Sequence, residues 1–284
     1  MIEQRRGQHP VNLMCRATGL SRSGYYAWRQ RPASPRTIAN RRLLVEIGAI
    51  HQERSQTYGS PRMHFELQGK GIQCSLNRVA RLMRQKGFKA IRPRRKRSSM
   101  NDPARECPIA PNRLNRDFAV GQPDRVWLGD ITEIETGEGV SYLGVVMDLY
   151  SRMIVGWAMA EHKDKQLTYQ ALDMALGRRR PPAALLHHTD QGSQYSATIY
   201  HELLRRHGIV PSMSRKGNPY DNAPMESWIR TLKVECVYRL DRTVRREVKE
   251  AIAEYIELNY NSRRRHSALG YLSPAEFERQ NGVA

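Results

Sequence analysis

The sequence contains few cysteines, and none of them are spaced for zinc binding. The four are Cys15, Cys74, Cys107 and Cys236. No pair has the C-x₂-C spacing, which argues against a zinc finger or a disulfide scaffold and favours a reducing compartment. The chain has no run of about 18 apolar residues to span a membrane, and its first ten residues lack a signal peptide's apolar stretch. We therefore expect a cytoplasmic protein.

Acidic residues are scarce in the first third of the chain. Residues 1–100 contain 22 Lys and Arg but only 4 Asp and Glu, which gives a net charge of +18. Residues 101–284 contain 25 and 24, which gives +1. A solvated basic surface would have this composition too, but an imbalance sustained over a hundred residues favours a polyanionic partner. Nucleic acid is the partner that we expect.

The basic region, residues 1–91, is predicted to be helical and to bind DNA. Residues 58–88 carry the clearest helix-turn-helix pattern, because Gly69 and Gly71 end one helix and Ser75 caps the next. The second helix presents a strongly polar side, formed by Asn77, Arg78, Arg81, Arg84 and Lys86. Such a helix fits a major groove, although the solvated face of a helical bundle would have the same pattern. The charge of the whole region favours contact of Arg78, Arg81 and Arg84 with DNA.

Residues 92–122 are predicted to form a basic, extended linker. They are rich in proline and asparagine and begin with the run RPRRKR. A basic run of this kind either follows DNA phosphates or solvates a hinge. We favour phosphate contact by Arg94, Arg95, Lys96 and Arg97.

Residues 123–284 are predicted to form an α/β domain with a mixed sheet. Three strand-like segments, 125–134, 141–150 and 153–160, indicate an antiparallel meander. Helices and short strands then alternate. The predicted helices are 165–176, 196–207, 224–238 and 244–258, and the predicted strands are 184–188 and 210–213.

Three carboxylates occupy positions where α/β folds assemble functional sites. Asp130 lies inside an apolar strand, Asp190 follows a strand end, and Glu226 lies in the first turn of a helix. Converging carboxylates repel each other unless cations lie between them, and oxygen ligands select Mg²⁺ or Mn²⁺. Two such ions catalyse phosphoryl transfer. Each residue also has a simpler explanation: a buried salt bridge for Asp130, a turn for Asp190, and the helix dipole for Glu226.

The surroundings of these carboxylates resemble the DDE transposases of bacterial insertion sequences, in particular the second reading-frame product of the IS-three family. The matching segments are VWLGDITEI, HHTDQGSQY, SMSRKGNPYDNAPMESWIRTLKVE and YNSRRRHSALGYLSPAEF. Thirty-five residues separate Asp190 from Glu226, a spacing characteristic of the family. Gly129 and Thr189 depart from the residues usual at their positions. The basic region resembles the family's helix-turn-helix region, so the likeness covers about the whole chain.

The resemblance implies a ribonuclease-H-like core, with a mixed five-stranded sheet and flanking helices, preceded by the all-α helix-turn-helix region. It implies that Asp130, Asp190 and Glu226 are catalytic and hold two Mg²⁺ or Mn²⁺ ions. In this chemistry, water cleaves a phosphodiester at the end of the element and leaves a 3′-hydroxyl. That hydroxyl then attacks target DNA in strand transfer.

The resemblance also implies partners for the chain. These are the element ends and target DNA, the first reading-frame product joined by frameshifting, and further copies of the chain on nucleoid DNA. Two other functions stay open on the residues alone. One is a DNA-binding regulator whose core no longer cuts DNA, and the other is a nuclease of the same fold that does not join DNA.

Two cations follow Glu226 on its predicted helix. Arg230 and Lys233 lie four and seven residues later, and therefore on the same helix face. We expect Lys233 to hold a DNA phosphate beside the metals, whereas the alternative is an ion pair with Glu226 inside the helix. Four residues share the C-terminal segment, and for them packing and DNA contact both stay open: Tyr260, Asn261, Arg264 and His266.

Overall fold

The basic region is built of helices joined by short loops. The computed structural model describes residues 2–91, 109–240 and 244–283. The helices of the basic region are α1 (Val11–Thr18), α2 (Arg22–Gln30), α3 (Pro35–Glu53), α4 (Ser60–Gly69) and α5 (Leu76–Lys86). The predicted phosphate contacts Arg94, Arg95, Lys96 and Arg97 lie outside the described residues.

Helices α3, α4 and α5 form a small bundle around their own apolar core. The buried side chains are Leu43, Ile47, Ile50, Met63, Leu67, Val79, Leu82 and Met83. The Ser75 hydroxyl caps α5 by accepting from the backbone N–H of Arg78 at 3.3 Å. Gly87, in the left-handed region at φ 75°, ends the helix. The predicted helix-turn-helix is therefore confirmed.

The second half of the chain is built on one mixed sheet of five strands. The strands are β1 (Val126–Thr136), β2 (Gly139–Asp148), β3 (Ile154–Ala160), β4 (Leu186–Thr189) and β5 (Val210–Met213). Their order is β3-β2-β1-β4-β5. The first three strands are antiparallel, as the meander predicts, and β4 and β5 run parallel to β1. This is the ribonuclease-H-like arrangement.

Helices cover both faces of the sheet. They are α6 (Lys165–Arg179), α7 (Thr198–Arg206), α8 (Ala223–Glu235), α9 (Arg245–Glu254) and α10 (Pro274–Gln280). Successive strand residues point to opposite faces, so Trp127 packs with α6 and α7 whereas Leu128 packs with α8 and α9. Gly156 lets α6 approach β3, since a Cβ there would lie 2.2 Å from the Ala171 carbonyl oxygen. None of the helices in the described ranges is long and apolar enough to cross a membrane.

Two of the predicted helices end earlier than the sequence suggests. Helix α8 stops at Glu235 and is followed by a 3₁₀ turn, Val237–Arg239. Helix α9 stops at Glu254, and a π-helical segment, Tyr255–Tyr260, follows. The wider turns bury three large side chains of this segment together, which a constant helical period does not reveal.

The C-terminal segment packs onto the sheet and α8. The Arg264 guanidinium donates two hydrogen bonds to Glu235, both at 2.8 Å. Asn261 bonds to both backbone groups of Ile154 at 2.9 Å. The Tyr260 hydroxyl donates to the carbonyl of Arg152 at 3.1 Å, and the His266 ring meets the Tyr260 ring edge-on at 4.8 Å. These four residues are therefore packing residues.

Helix α4 of the basic region lies against this C-terminal segment. The Tyr58 hydroxyl accepts from the backbone N–H of Arg265 at 3.0 Å, and Glu66 pairs with the Arg265 guanidinium at 3.0 Å. The rings of Phe65 and Tyr271 stack with centroids 4.1 Å apart. We call these five residues the docking contact.

Candidate active site

Asp130 lies in the middle of β1, on the sheet face covered by α8. It shares this face with Leu128, two residues earlier, and its carboxylate accepts from the backbone N–H of Ile131 at 2.7 Å. Burial raises the pKa of Asp130 well above its ordinary value, and the nearby Asp190 and Glu226 carboxylates raise it further. A bound cation would relieve this repulsion.

Asp190 follows β4 directly, and its charge raises the pKa of Asp130. The parallel pairing of β1 and β4 sets Leu128 opposite His188, and each aspartate follows two residues later in its own segment. The backbone N–H of Gly192 donates to the Asp190 carboxylate at 3.0 Å, so a tight turn orients the exposed side chain. The end of a parallel strand is where such sheets bind ligands.

Glu226 reaches the same region from the first turn of α8. The helix start is tied to β1, because the Asn222 side-chain amide donates to the Gly129 carbonyl at 3.3 Å. Desolvation raises the pKa of the exposed Glu226 carboxyl. Asp190 and Glu226 thus both lie close enough to Asp130 for their charges to raise its pKa.

The carboxylates offer the right donors for a hard cation, though they do not form a closed shell. Within the described ranges, no group of three or more His, Cys, Asp or Glu is gathered closely enough to hold a metal ion. Carboxylate oxygens without a nearby thiolate are the ligands that Mg²⁺ and Mn²⁺ prefer. Burial first, and then the charges of Asp190 and Glu226, raise the pKa of Asp130, and a bound cation would favour its charged form. The chemistry of the donors therefore fits the expected metal, whereas the three side chains are not gathered into a ligand shell.

His188 lies beneath the site and is a structural group. Its Nδ1 lies 2.8 Å from the Ser212 hydroxyl and its Nε2 lies 3.0 Å from the Ser214 hydroxyl. Ser212 also accepts from the backbone N–H of Arg113 at 2.9 Å, so it links the ring to the segment before the sheet. Burial lowers the pKa of His188 to about 4, so the ring is neutral near pH 7. It joins β4 to β5.

Asp221 organises the loop between β5 and α8. Its side chain is fully buried and accepts five hydrogen bonds, from Arg215, Arg116 and Asn112. These arginines hold the pKa of Asp221 well below its ordinary range. Asn222 occupies the cap position but its side chain makes no capping bond, because it bonds to β1 instead.

The predicted DNA contacts within the described residues lie on two helices. Arg230 is exposed and Lys233 is half-buried on α8, two turns or fewer from Glu226. On α5, Arg81 and Arg84 are exposed. Arg78 differs, since its Nε donates to the Asn40 side chain of α3 at 2.9 Å and ties α5 to the bundle. Contact of these side chains with DNA stays a prediction.

Sequence reasoning missed Lys163, which lies in the loop between β3 and α6. Its charge lowers the pKa of Asp130, which sets it near the carboxylates. The buried Gln194 side chain fixes this loop by donating to the Lys163 carbonyl at 3.1 Å. The strand order brings this loop to the site, and no local sequence pattern carries that information.

Comparison with known proteins gives matches along nearly the whole chain. Residues 39–96 match a family described as HTH-like domain, and residues 121–219 and 207–274 match two families described as integrase core domain. The insertion element IS600 uncharacterized 31 kDa protein of Shigella sonnei is 45% identical over 264 residues, which is 93% of this chain and 97% of that protein. The transposase InsF for insertion sequence IS3A of Escherichia coli K12 is 40% identical over 283 residues, 99% of this chain and 98% of that protein.

Among solved structures, the HTLV-2 integrase catalytic core domain in complex with magnesium covers 55% of this chain and 97% of its own. The identity is 16% and the TM-score is 0.42.

Proposed function

Because this chain belongs to the IS3 family of insertion-sequence transposases, we propose that it cleaves the 3′ ends of its element and joins them to target DNA. The observation that supports this proposal is that Asp190 and Glu226 lie close enough to Asp130 to raise its pKa. The three residues come from the centre of β1, the end of β4 and the start of α8. Phosphoryl transfer needs little covalent chemistry from a protein, and this arrangement supplies charge at fixed positions.

Asp130, Asp190 and Glu226 would hold the divalent cations, two in our proposal. Bound there, Mg²⁺ or Mn²⁺ would stabilise the attacking and leaving oxygens of the phosphodiester. The sheet fixes the two aspartates through the register of β1 and β4, and the Asn222 bond to β1 holds the helix that carries Glu226. Reactive water and the 3′-hydroxyl act in turn as nucleophiles, without a covalent intermediate between protein and DNA.

Cations on both halves of the chain would hold the DNA. Arg230 and Lys233 follow Glu226 along α8, where a cation can fix a phosphate next to the carboxylates. Arg81 and Arg84 are exposed on α5, the second helix of the helix-turn-helix. The segment 94–97 would add phosphate contacts between the two halves. In this proposal the basic region recognises the DNA, and the carboxylates on the sheet and α8 carry out the phosphoryl transfer.

The proposal extends to the assembly in which the chain works. We place it in the bacterial cytoplasm on nucleoid DNA, as a homo-oligomer that brings two element ends together. Fusion to the first reading-frame product would add further DNA-binding and pairing elements. These assignments rest on the family and on the basic charge of residues 1–100.

Strand transfer with defined DNA tests the proposal. The substrate carries the element's ends, the target is a plasmid, and reactions contain Mg²⁺, Mn²⁺ or EDTA. The chain alone and its fusion to the first reading-frame product are compared, with Asp130→Asn as the inactive control. Metal-dependent joining is the expected result. Cleavage without joining would instead indicate a nuclease, and DNA binding without cleavage would indicate a regulator.

A further inference from the structure

Asp221 is a buried charge that the proposed metal ligands do not include. It lies in the loop between β5 and α8, five residues before Glu226, and none of its surface is exposed. A buried carboxylate is strongly unfavourable unless cations and hydrogen bonds compensate it. The compensation around Asp221 is complete, and its partners come from two separate parts of the chain.

One set of partners comes from the same loop. Arg215 donates its backbone N–H to Asp221 at 3.0 Å and its guanidinium N–H groups at 2.9 and 2.7 Å. These bonds close residues 215–221 into a ring. The enclosed Lys216 and Gly217 are exposed, and Gly217 lies in the left-handed region at φ 70°. The closure adds to a backbone bond within this glycine-containing turn, from the Asn218 N–H to the Arg215 carbonyl at 3.1 Å.

The second set comes from the segment that leads from the basic region into the sheet. Arg116 donates its Nε to Asp221 at 2.8 Å, and Asn112 donates its amide at 3.1 Å. The same segment is also bound to β5, because the backbone N–H of Arg113 donates to the Ser212 hydroxyl. Asp221 therefore joins residues 112–116 to the loop that begins α8.

These contacts bear on the geometry of the carboxylates. Next to Asp221, Asn222 bonds to the carbonyl of Gly129, the residue before Asp130. We propose that Asp221 is a positioning residue, which fixes the start of α8 and thereby holds Glu226 in register with Asp130. Through Arg116 it also connects this register to the segment that follows the DNA-binding region. The activity readout of this inference rests on the proposed function, but its structural readouts do not.

The test compares Asp221→Asn with Asp117→Asn, an exposed aspartate in the adjoining segment. The amide of asparagine removes the negative charge that Arg116 and Arg215 contact, and it keeps the shape of the side chain. Hydrogen exchange of residues 214–226 should accelerate by about tenfold or more in Asp221→Asn. Mn²⁺ binding, followed by electron paramagnetic resonance without DNA, should weaken by about 10-fold or more. Asp117→Asn should match the wild type in both measurements.

The kinetic readout separates positioning from a general loss of folded protein. In strand transfer, kcat should fall by about 10²-fold, as expected for misplaced reacting groups. The KM for DNA should stay within about twofold, because the DNA-holding residues are unchanged. Arg116→Ala is the second variant, should Asp221→Asn fail to fold. It leaves Arg215 in place and should change the same quantities in the same direction, but less.

Several results would overturn the inference. One is that Asp221→Asn shows the same hydrogen-exchange rates in residues 214–226, and the same Mn²⁺ affinity, as Asp117→Asn. Another is a loss of kcat that follows only the unfolded fraction and recovers when the temperature is lowered. If the wild type joins no DNA, the proposed function fails, while exchange and Mn²⁺ binding still decide whether Asp221 positions Glu226.

Discussion

Replacing Arg179 by methionine should destabilise the catalytic half of the chain by about 3–5 kcal/mol. The guanidinium ends α6 among three carboxylates, and it is only 15% exposed. It pairs with Asp124 at 3.0 Å, with Asp148 at 3.2 Å and with Glu278 at 2.8 Å. Methionine fills a similar volume without the charge. The variant therefore leaves buried anions without their shared cation, which is the costly way to break a buried ion pair.

The size of the effect should depend on pH. Burial already raises the pKa of Asp148 to about 7, and loss of the guanidinium would raise it further. A carboxyl whose pKa is higher in the folded than in the unfolded state binds protons preferentially when folded. Folding then gains stability as the pH falls from about 7 towards about 4. The loss in free energy of unfolding caused by Arg179→Met should accordingly be largest near pH 8 and smaller near pH 5.5.

Arg178→Met is the matched control for this measurement. Arg178 is the preceding residue and pairs with Glu257 at 2.9 Å, but the two side chains are 41% and 37% exposed. Such an exposed pair contributes about 0–1 kcal/mol. Urea unfolding followed by circular dichroism at both pH values gives the free energies of unfolding. A deficit for Arg179→Met within about 1 kcal/mol of that for Arg178→Met would refute the reasoning.

Three further predictions concern the DNA chemistry. Asp130→Asn, Asp190→Asn and Glu226→Gln should each abolish cleavage and joining while DNA binding persists, and wild-type joining by any of them would remove that residue from the ligands. Lys233→Ala should lower strand transfer by roughly tenfold to a hundredfold with the melting temperature unchanged, whereas activity within about twofold of wild type would favour the ion pair with Glu226. Arg81→Ala should weaken DNA binding and reduce the salt dependence by about one phosphate contact, as measured by fluorescence anisotropy across salt concentrations.

The elements that carry the site were predictable because their signals are local. The apolar alternation around Asp130 marks β1, and the apolar run before Asp190 marks β4. The turn residues before Glu226 mark the start of α8. Proline and glycine around position 218 and serine at position 75 define loops and caps by their own backbone preferences. Each of these features depends on neighbours within a few positions of the chain.

The contacts that hold the site together were not predictable, because they join distant residues. Arg116 and Asp221 are 105 positions apart, and the segment around each of them reads in the sequence as an ordinary surface loop. Lys163 reaches Asp130 only because β3 and β1 belong to the same sheet. The two roles left open for Arg264 were decided by its pairing with Glu235, 29 residues earlier. Sequence periodicity records which side of an element is apolar, and it does not record the element that covers it.

The docking contact has a consequence for the exchange of parts among related transposases. Tyr58 and Glu66 meet Arg265 across about 200 positions, so the basic region packs against residues far along the chain. In a chimera that takes only residues 1–91 from a relative, the new α4 would pack against a C-terminal segment from a different protein. Transferring residues 263–272 together with residues 1–91 would keep the stacking of Phe65 on Tyr271 and the ion pair between Glu66 and Arg265. If the basic region selects the element ends, as proposed above, retargeting the enzyme requires both segments from the same donor.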